Sequence, residues 1–154
     1  MKLRAGDSWL PAPDYGRHLA TRSTGVSINL LVTDVAAAVG FQCDVLGAEA
    51  VYQDVDFAAL AGFGSEWCVH ADHTYDRHPM AGVIRNLDGR GAGVELRVYG
   101  CDPDAAERRA RDAGHTVLAG ALDKPHGLRE SYLLDRDGYC WVPSVPVGAG
   151  SRDG

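Results

Sequence analysis

The sequence predicts an α+β fold: two tandem βαβββ modules forming a curved mixed β-sheet around a cavity, with the helices on its convex side. Three observations carry that expectation. The chain repeats itself, because residues 25–44 (GVSINLLVTDVAAAVGFQCD) lie without a gap over residues 93–112 (GVELRVYGCDPDAAERRARD). Gly25/Gly93, Val26/Val94, Asp34/Asp102, Ala37/Ala105, Ala38/Ala106 and Asp44/Asp112 are identical pairs, and an internal period of this kind sets architecture before any motif is read. Each copy also opens on a period of two and then switches, at an aspartate, to an alanine-rich helical segment. Short strand-like runs follow the helix in both copies.

Residues 1–24, with Pro11, Pro13 and Gly16, read as an extended arm laid on the body. The first module, 25–72, opens with Val26, Ile28, Leu30 and Val32 alternating with Ser27, Asn29 and Leu31, the pattern of a strand with one buried face. Asp34 is placed to cap the helix that follows, and Gly47 to end it in a left-handed turn. EAVYQD, VDFAAL and EWCVHAD complete the module. Residues 73–91 form a linker, in which His73 and His78 read as exposed. The second module, 92–146, repeats the plan: Val94, Leu96 and Val98 alternate with Glu95, Arg97 and Tyr99, Asp102-Pro103 starts a helix, and Gly114 stops it. HTVLAG, ESYLLD and YCWVP are its remaining strands, the last two joined by the turn signal Asp135-Arg136-Asp137-Gly138. Residues 147–154 read as a loose tail. One module alone leaves its sheet edge and concave face unsatisfied, so two must pair.

At 154 residues the chain is one compact domain or two half-size modules. A net charge of −6 argues against nucleic acid, which needs basic surface to neutralise phosphates. No run has the length and apolarity of a secretory leader or a membrane span, so a cytoplasmic protein with no membrane partner is expected. The four cysteines, Cys43, Cys68, Cys101 and Cys140, are scattered, and buried reduced thiols are their expected state.

The tandem modules, the strand–Asp–Ala-rich helix–Gly pattern and the closing D-x-D-G-Y-x-W resemble the vicinal oxygen chelate superfamily, which includes glyoxalase I, extradiol dioxygenases, fosfomycin-resistance enzymes and bleomycin-resistance proteins. The segments INLLVTDVAAAVGFQCDVLGAE, DPDAAERRARDAGHTVL and PHGLRESYLLDRDGYCWVP carry the resemblance. The scaffold hosts isomerases, lyases, dioxygenases and non-catalytic drug sequestration, so likeness to it does not fix activity.

The resemblance implies metal-ligand positions at the start of each opening strand, seven residues before the helix-opening aspartate, and on each final strand. Those counts give Ser27 and Glu95. Laying Trp67-Cys68-Val69-His70 over Tyr139-Cys140-Trp141-Val142 adds His70 and Val142. Only His70 and Glu95 can ligate, and catalytic metals generally take at least three protein ligands. A complete metal site, and hence a cofactor, is not expected. The alternative is a divalent ion such as Zn, Ni, Mn or Fe on His70 and Glu95, with Asp72 joining. Anchoring the second module on Val98 would instead put Gly93 at the ligand place.

Alternation sends Ser27, Asn29, His70, Asp72, Glu95, Arg97 and Tyr99 into the cavity, while Trp67, Val69 and Trp141 read as core. Glu95 and Arg97 either pair with each other or meet a ligand. His126 and Arg129, on the 123–129 loop, are either solvated or contact a ligand at the rim. Two functions follow: sequestration of a small organic molecule, or a lyase, isomerase or dioxygenase (an oxidoreductase in the last case) using Glu95 and His70 as base or acceptor. A homodimer is expected in either case, with Trp9, Leu10 and Tyr15 of the arm needing a surface to pack on.

Overall fold

A computed structural model describes residues 2–5, 8–11, 17, 20–21, 25–84 and 87–148. Two short strands, β1 (Lys2–Ala5) and β2 (Ser8–Pro11), pair antiparallel at the start of the arm. The packing of its side chains, and the tail beyond residue 148, lie outside the described residues.

The first module runs β3 (Asn29–Val32), α1 (Val35–Gly40), β4 (Glu49–Gln53), β5 (Phe57–Gly62) and β6 (Ser65–Ala71). The second runs β7 (Glu95–Tyr99), α3 (Pro103–Asp112), β8 (Thr116–Asp123), β9 (Leu128–Leu134) and β10 (Cys140–Pro146). Between them lie a tight turn, Asp72–Tyr75, and the short helix α2 (Ala81–Ile84). Both modules have the same strand order: β3-β6-β5-β4 in one sheet and β7-β10-β9-β8 in the other. The opening strand runs parallel to the final one in each. The eight strands thus form two four-stranded sheets, since β3 and β7 do not hydrogen-bond to each other and, among the described residues, each keeps one edge open.

The caps are the ones the sequence encodes. Asp34 accepts the Ala37 amide at 3.1 Å, and Asp102 accepts those of Asp104 and Ala105 at 2.9 and 3.1 Å. After Gly40 the first helix widens into a π-helical segment, Phe41–Leu46, closed by Gly47 at φ 88°. Its terminal carbonyls would be orphaned, but the second module supplies donors: Arg109 Nε reaches Val45 O at 2.8 Å and Cys101 Sγ reaches Leu46 O at 3.3 Å.

One apolar core joins both modules. Leu30, Val32, Val69 and Leu60 from the first meet Leu96, Val98, Leu133 and Trp141 from the second. The Trp67 and Trp141 rings lie 6.2 Å apart, and Phe41 stacks edge-on to His115 at 4.8 Å. Because strand side chains alternate, the polar positions of β3, β6, β7 and β10 face away from this core.

The linker returns close to the β9–β10 turn. A Cβ on Gly91 would stand 2.6 Å from Tyr139 Cα, and one on Gly138 would stand 2.6 Å from Gly89 Cα. Gly138 also has φ 84°, so no other residue fits there without strain. Arg90, between these contacts, donates to both carboxylate oxygens of Asp72 at 2.5 and 2.7 Å and to Leu31 O at 3.1 Å. Asp137 stands 3.8 Å from its guanidinium and accepts the Thr33 amide at 3.0 Å. Tyr139 Oη donates to the same Leu31 carbonyl at 2.9 Å. These bonds clamp β3 to the second module.

Candidate functional site

The strand β7 organises the site. Glu95, Arg97 and Tyr99 project from one of its faces, and Leu96 and Val98 enter the core on the other. At the open edge of β7 lies a cleft of about 200 Å³, walled by Ile28, Phe63, Trp67, Tyr99 and Trp141 and bearing Glu95 and Arg97. The aromatic walls come from both modules, so the cleft depends on how the two are held together.

Arg97 is the centre of a charge network. It donates to Glu95 at 2.8 Å and also to Glu130, and its guanidinium lies 5.9 Å from the Tyr99 ring centroid. The sequence left open whether Glu95 and Arg97 pair with each other; they do. Glu130, on β9, is completely buried. It accepts further from Tyr132 Oη at 2.9 Å and Ser144 Oγ at 3.5 Å, with His126 Nε2 at 3.2 Å. A buried carboxylate is tolerated only with such partners. Sequence reading missed Glu130. The available signal was its position on the same strand face as Tyr132, in register with Ser144 across the sheet.

His70 lies on the outward face of the other sheet, half-buried between Phe57 and Tyr75, with ring centroids at 4.6 and 5.4 Å. Burial pushes its imidazole below the ordinary histidine value, partly opposed by Asp54. Neither His70, Ser27 nor Val142 lines the cleft that contains Glu95. Glu95 therefore does not share this cleft with Ser27 or His70; alternation turns His70 and Glu95 alike away from the shared core, each on its own sheet.

The cross-strand registers also correct the equivalence of the final strands. Asn29 pairs with Cys68 and Arg97 with Val142; Leu31 pairs with His70 and Tyr99 with Ser144. With Asn29 matching Arg97 in the repeat, Cys68 corresponds to Val142 and His70 to Ser144. The partner of Glu95 across the sheet is Cys140, whose thiol is raised by burial and then by Glu95 and Asp135. Continuing the first-module register places Glu66 opposite Ser27. Among the described residues no three His, Cys, Asp or Glu side chains converge as metal ligands, so the donor set does not fit the metal that the resemblance implies.

Three other expected ligand contacts are committed elsewhere. Asp72 is held by Arg90, as above. Arg129 grips Asp104 with two bonds of 2.7 Å and Asp123 at 2.8 Å; its neighbour Ser131 bonds the Pro103 carbonyl on the helix side, the face opposite Glu130. Asn29 donates to Tyr75 Oη at 2.5 Å. His73 pairs with Asp56 at 2.7 Å and, like His78, is exposed. All four cysteines are free thiols, and Cys101 is pushed up to about 11 by burial. No helix among the described residues is long and apolar enough to cross a membrane.

No protein-family model matches the chain, and no curated protein matches its sequence. Solved structures do match. A glyoxalase/bleomycin resistance protein/dioxygenase from Nocardioides is 21% identical, with a TM-score of 0.61 over 91% of this chain and 95% of that one. A glyoxalase-related enzyme from Fulvimarina pelagi is 21% identical, with a TM-score of 0.64 over 82% of this chain and 94% of its own. A glyoxalase/bleomycin resistance protein/dioxygenase family enzyme from Burkholderia phytofirmans PsJN is 18% identical, with a TM-score of 0.61 over 77% and 94%. With tandem βαβββ modules, matching strand orders and these likenesses across most of its length, the chain has the fold of the glyoxalase/bleomycin resistance/dioxygenase proteins.

Proposed function

We propose that this chain binds a small, flat organic molecule, neutral or cationic, in the cleft at the edge of β7. The observation that carries the reading is the cleft's composition: Phe63 and Tyr99 present exposed aromatic surface, with the buried indoles of Trp67 and Trp141 also lining the cleft, and Glu95 and Arg97 stand beside them. Aromatic walls favour planar ligands through stacking. The charge balance decides the sign. Arg97 faces two carboxylates, Glu95 and Glu130, leaving the network short of positive charge, so an organic anion is disfavoured and a cation favoured.

The cleft is smaller than the ~300–1,000 Å³ usual for drug-sized ligands. Its neighbour strands β3 and β7 each keep an open edge, and Val26, Ile28 and Val94 are exposed beside them. A second copy of the chain covering these edges would enlarge and close the site, which supports a homodimer. Catalysis by Glu95 and His70 together is the weaker reading, because His70 does not line the cleft that holds Glu95.

Thioflavin T, a flat aromatic cation, tests the proposal by fluorescence titration. Wild type should bind it more tightly than the anionic dye 1-anilinonaphthalene-8-sulfonate. Glu95→Gln should weaken thioflavin T by ~0.2–1 kcal/mol, the loss of one ion pair with a half-exposed carboxylate, with the fold unchanged. Equal binding of both dyes, or no response to Glu95→Gln, would refute the reading.

A further inference from the structure

The hairpin between β5 and β6 contains an expensive residue. Gly62 pairs directly with Ser65, so the chain reverses through Phe63 and Gly64 alone. Both have positive φ, 52° and 74°, as a type I′ turn requires. Gly64 is suited to that conformation. Phe63 is not: asparagine, aspartate or glycine normally fills the first central position, and a bulky side chain in the left-handed region is an outlier. Among the described residues Phe63 is the one non-glycine with positive φ.

Phe63 remains 39% exposed, on the rim of the cleft with Trp67 and Trp141 behind it. The turn sits close over Trp67, since a Cβ on Gly62 would touch that indole's far edge at 3.7 Å. Strained backbone of this kind concentrates at functional sites. A tighter turn sequence was open to this chain, because asparagine before Gly64 would form the favoured Asn-Gly pair.

We infer that Phe63 is a ligand-binding wall of the cleft, held in a strained turn so that its ring closes over a flat aromatic guest. The inference rests on the cleft reading given above. It adds the stacking residue and a trade between stability and affinity.

The test compares wild type, Phe63→Asn and Phe63→Tyr, each by thermal melt, sedimentation and thioflavin T titration. Phe63→Asn should raise the Tm by roughly 2–6 °C through relief of the turn and weaken the dye about tenfold through loss of the stacking surface. Phe63→Tyr should keep the wild-type Tm and affinity. If Phe63→Asn leaves dye affinity unchanged while Glu95→Gln weakens it, the cleft reading stands and the wall is refuted. If Phe63→Asn lowers the Tm, the ring is a packing residue and the inference is overturned. If it dissociates a dimer, the ring is a subunit contact, which overturns the inference as well. A wild type that does not bind thioflavin T overturns the cleft reading and this inference together.

Discussion

Removing the Glu130 carboxylate should be among the most damaging single changes in this protein. Glu130 is completely buried, and its two oxygens serve different partners. Oε1 takes Arg97, Ser144 and His126; Oε2 takes the Tyr132 hydroxyl. Glu130→Ala leaves the Tyr132 hydroxyl without its acceptor and the partly buried Arg97 guanidinium with Glu95 alone, while Ser144 keeps the Val142 carbonyl, a loss of about 3–5 kcal/mol for a broken buried pair. For a chain of this length that is a Tm drop of roughly 6–20 °C. Glu130→Gln should cost less, about 1–3 kcal/mol, because its carbonyl can still serve the Oε1 partners while its amide donates to Tyr132. The double change Arg97→Met with Glu130→Met removes both charges and should cost less than Glu130→Ala, since Glu95, the other partner of Arg97, is half-exposed and keeps its hydration; what remains is the Tyr132 hydroxyl without its acceptor. Urea unfolding of wild type, Arg97→Met, Glu130→Met and the double variant gives the coupling energy as a double-mutant cycle. An alanine variant within about 1 kcal/mol of wild type would show that the network is not holding the second sheet. So would a double variant as unstable as the alanine one.

The remaining predictions concern the join between modules and the imidazole. Arg90→Met should destabilise by about 3–5 kcal/mol in urea, because Asp72 and Asp137 lose a cation whose side chain is 7% exposed; a loss below about 1 kcal/mol would refute the clamp. Gly138→Ala should cost more than about 1–3 kcal/mol, adding left-handed strain to a clash with the Gly89 backbone, and a wild-type melt would contradict that geometry. His70 titrates below its ordinary 6.5 in the folded state because of its burial. The unfolded chain therefore takes up that proton first. Its contribution to stability should be complete above pH 6.5 and decline as the pH falls through the lower folded value, with His70→Gln flattening the slope. An NMR titration placing His70 at or above 6.5 would reverse the sign and refute the assignment.

The repeat made the module plan legible, because caps and stops are local. Asp34, Asp102 and Gly47 act through neighbours a few residues away, and their roles follow from position alone. The level of the final strands was not legible in the same way. Matching Cys68 to Cys140 aligns identical letters, but the core is set by volume: Trp67 and Trp141 occupy equivalent levels and meet across it, which shifts the alignment by two residues. Alternation is preserved by such a shift, so both alignments predict the same face and only cross-strand pairing separates them. Arg90 and Glu130 were missed for a related reason. Arg90 is defined by Asp72 and Leu31, and Glu130 by Arg97 and Ser144 as well as its neighbours Tyr132 and His126; no local pattern distinguishes a buried arginine in a linker from a solvated one.

The two modules share a scaffold but divide the chemistry between them. At matched levels the first carries Asn29, Leu31, Cys68 and His70, and the second carries Arg97, Tyr99, Val142 and Ser144. The first module's outward face is largely apolar around Phe57, Ala59 and Cys68; the second holds the buried Glu130 and the Glu95–Arg97 pair. The charged groups of the cleft therefore belong to the second module, while the first contributes Phe63 and Trp67 to it. Neither half makes the site alone. The cleft's shape is then set by the bonds that fix one module against the other: Arg90 on Asp72, Tyr139 on Leu31 and Arg109 on Val45. A duplicated fold can specialise in this way because each copy's core-facing positions preserve packing, while its outward positions and open edge are free to change.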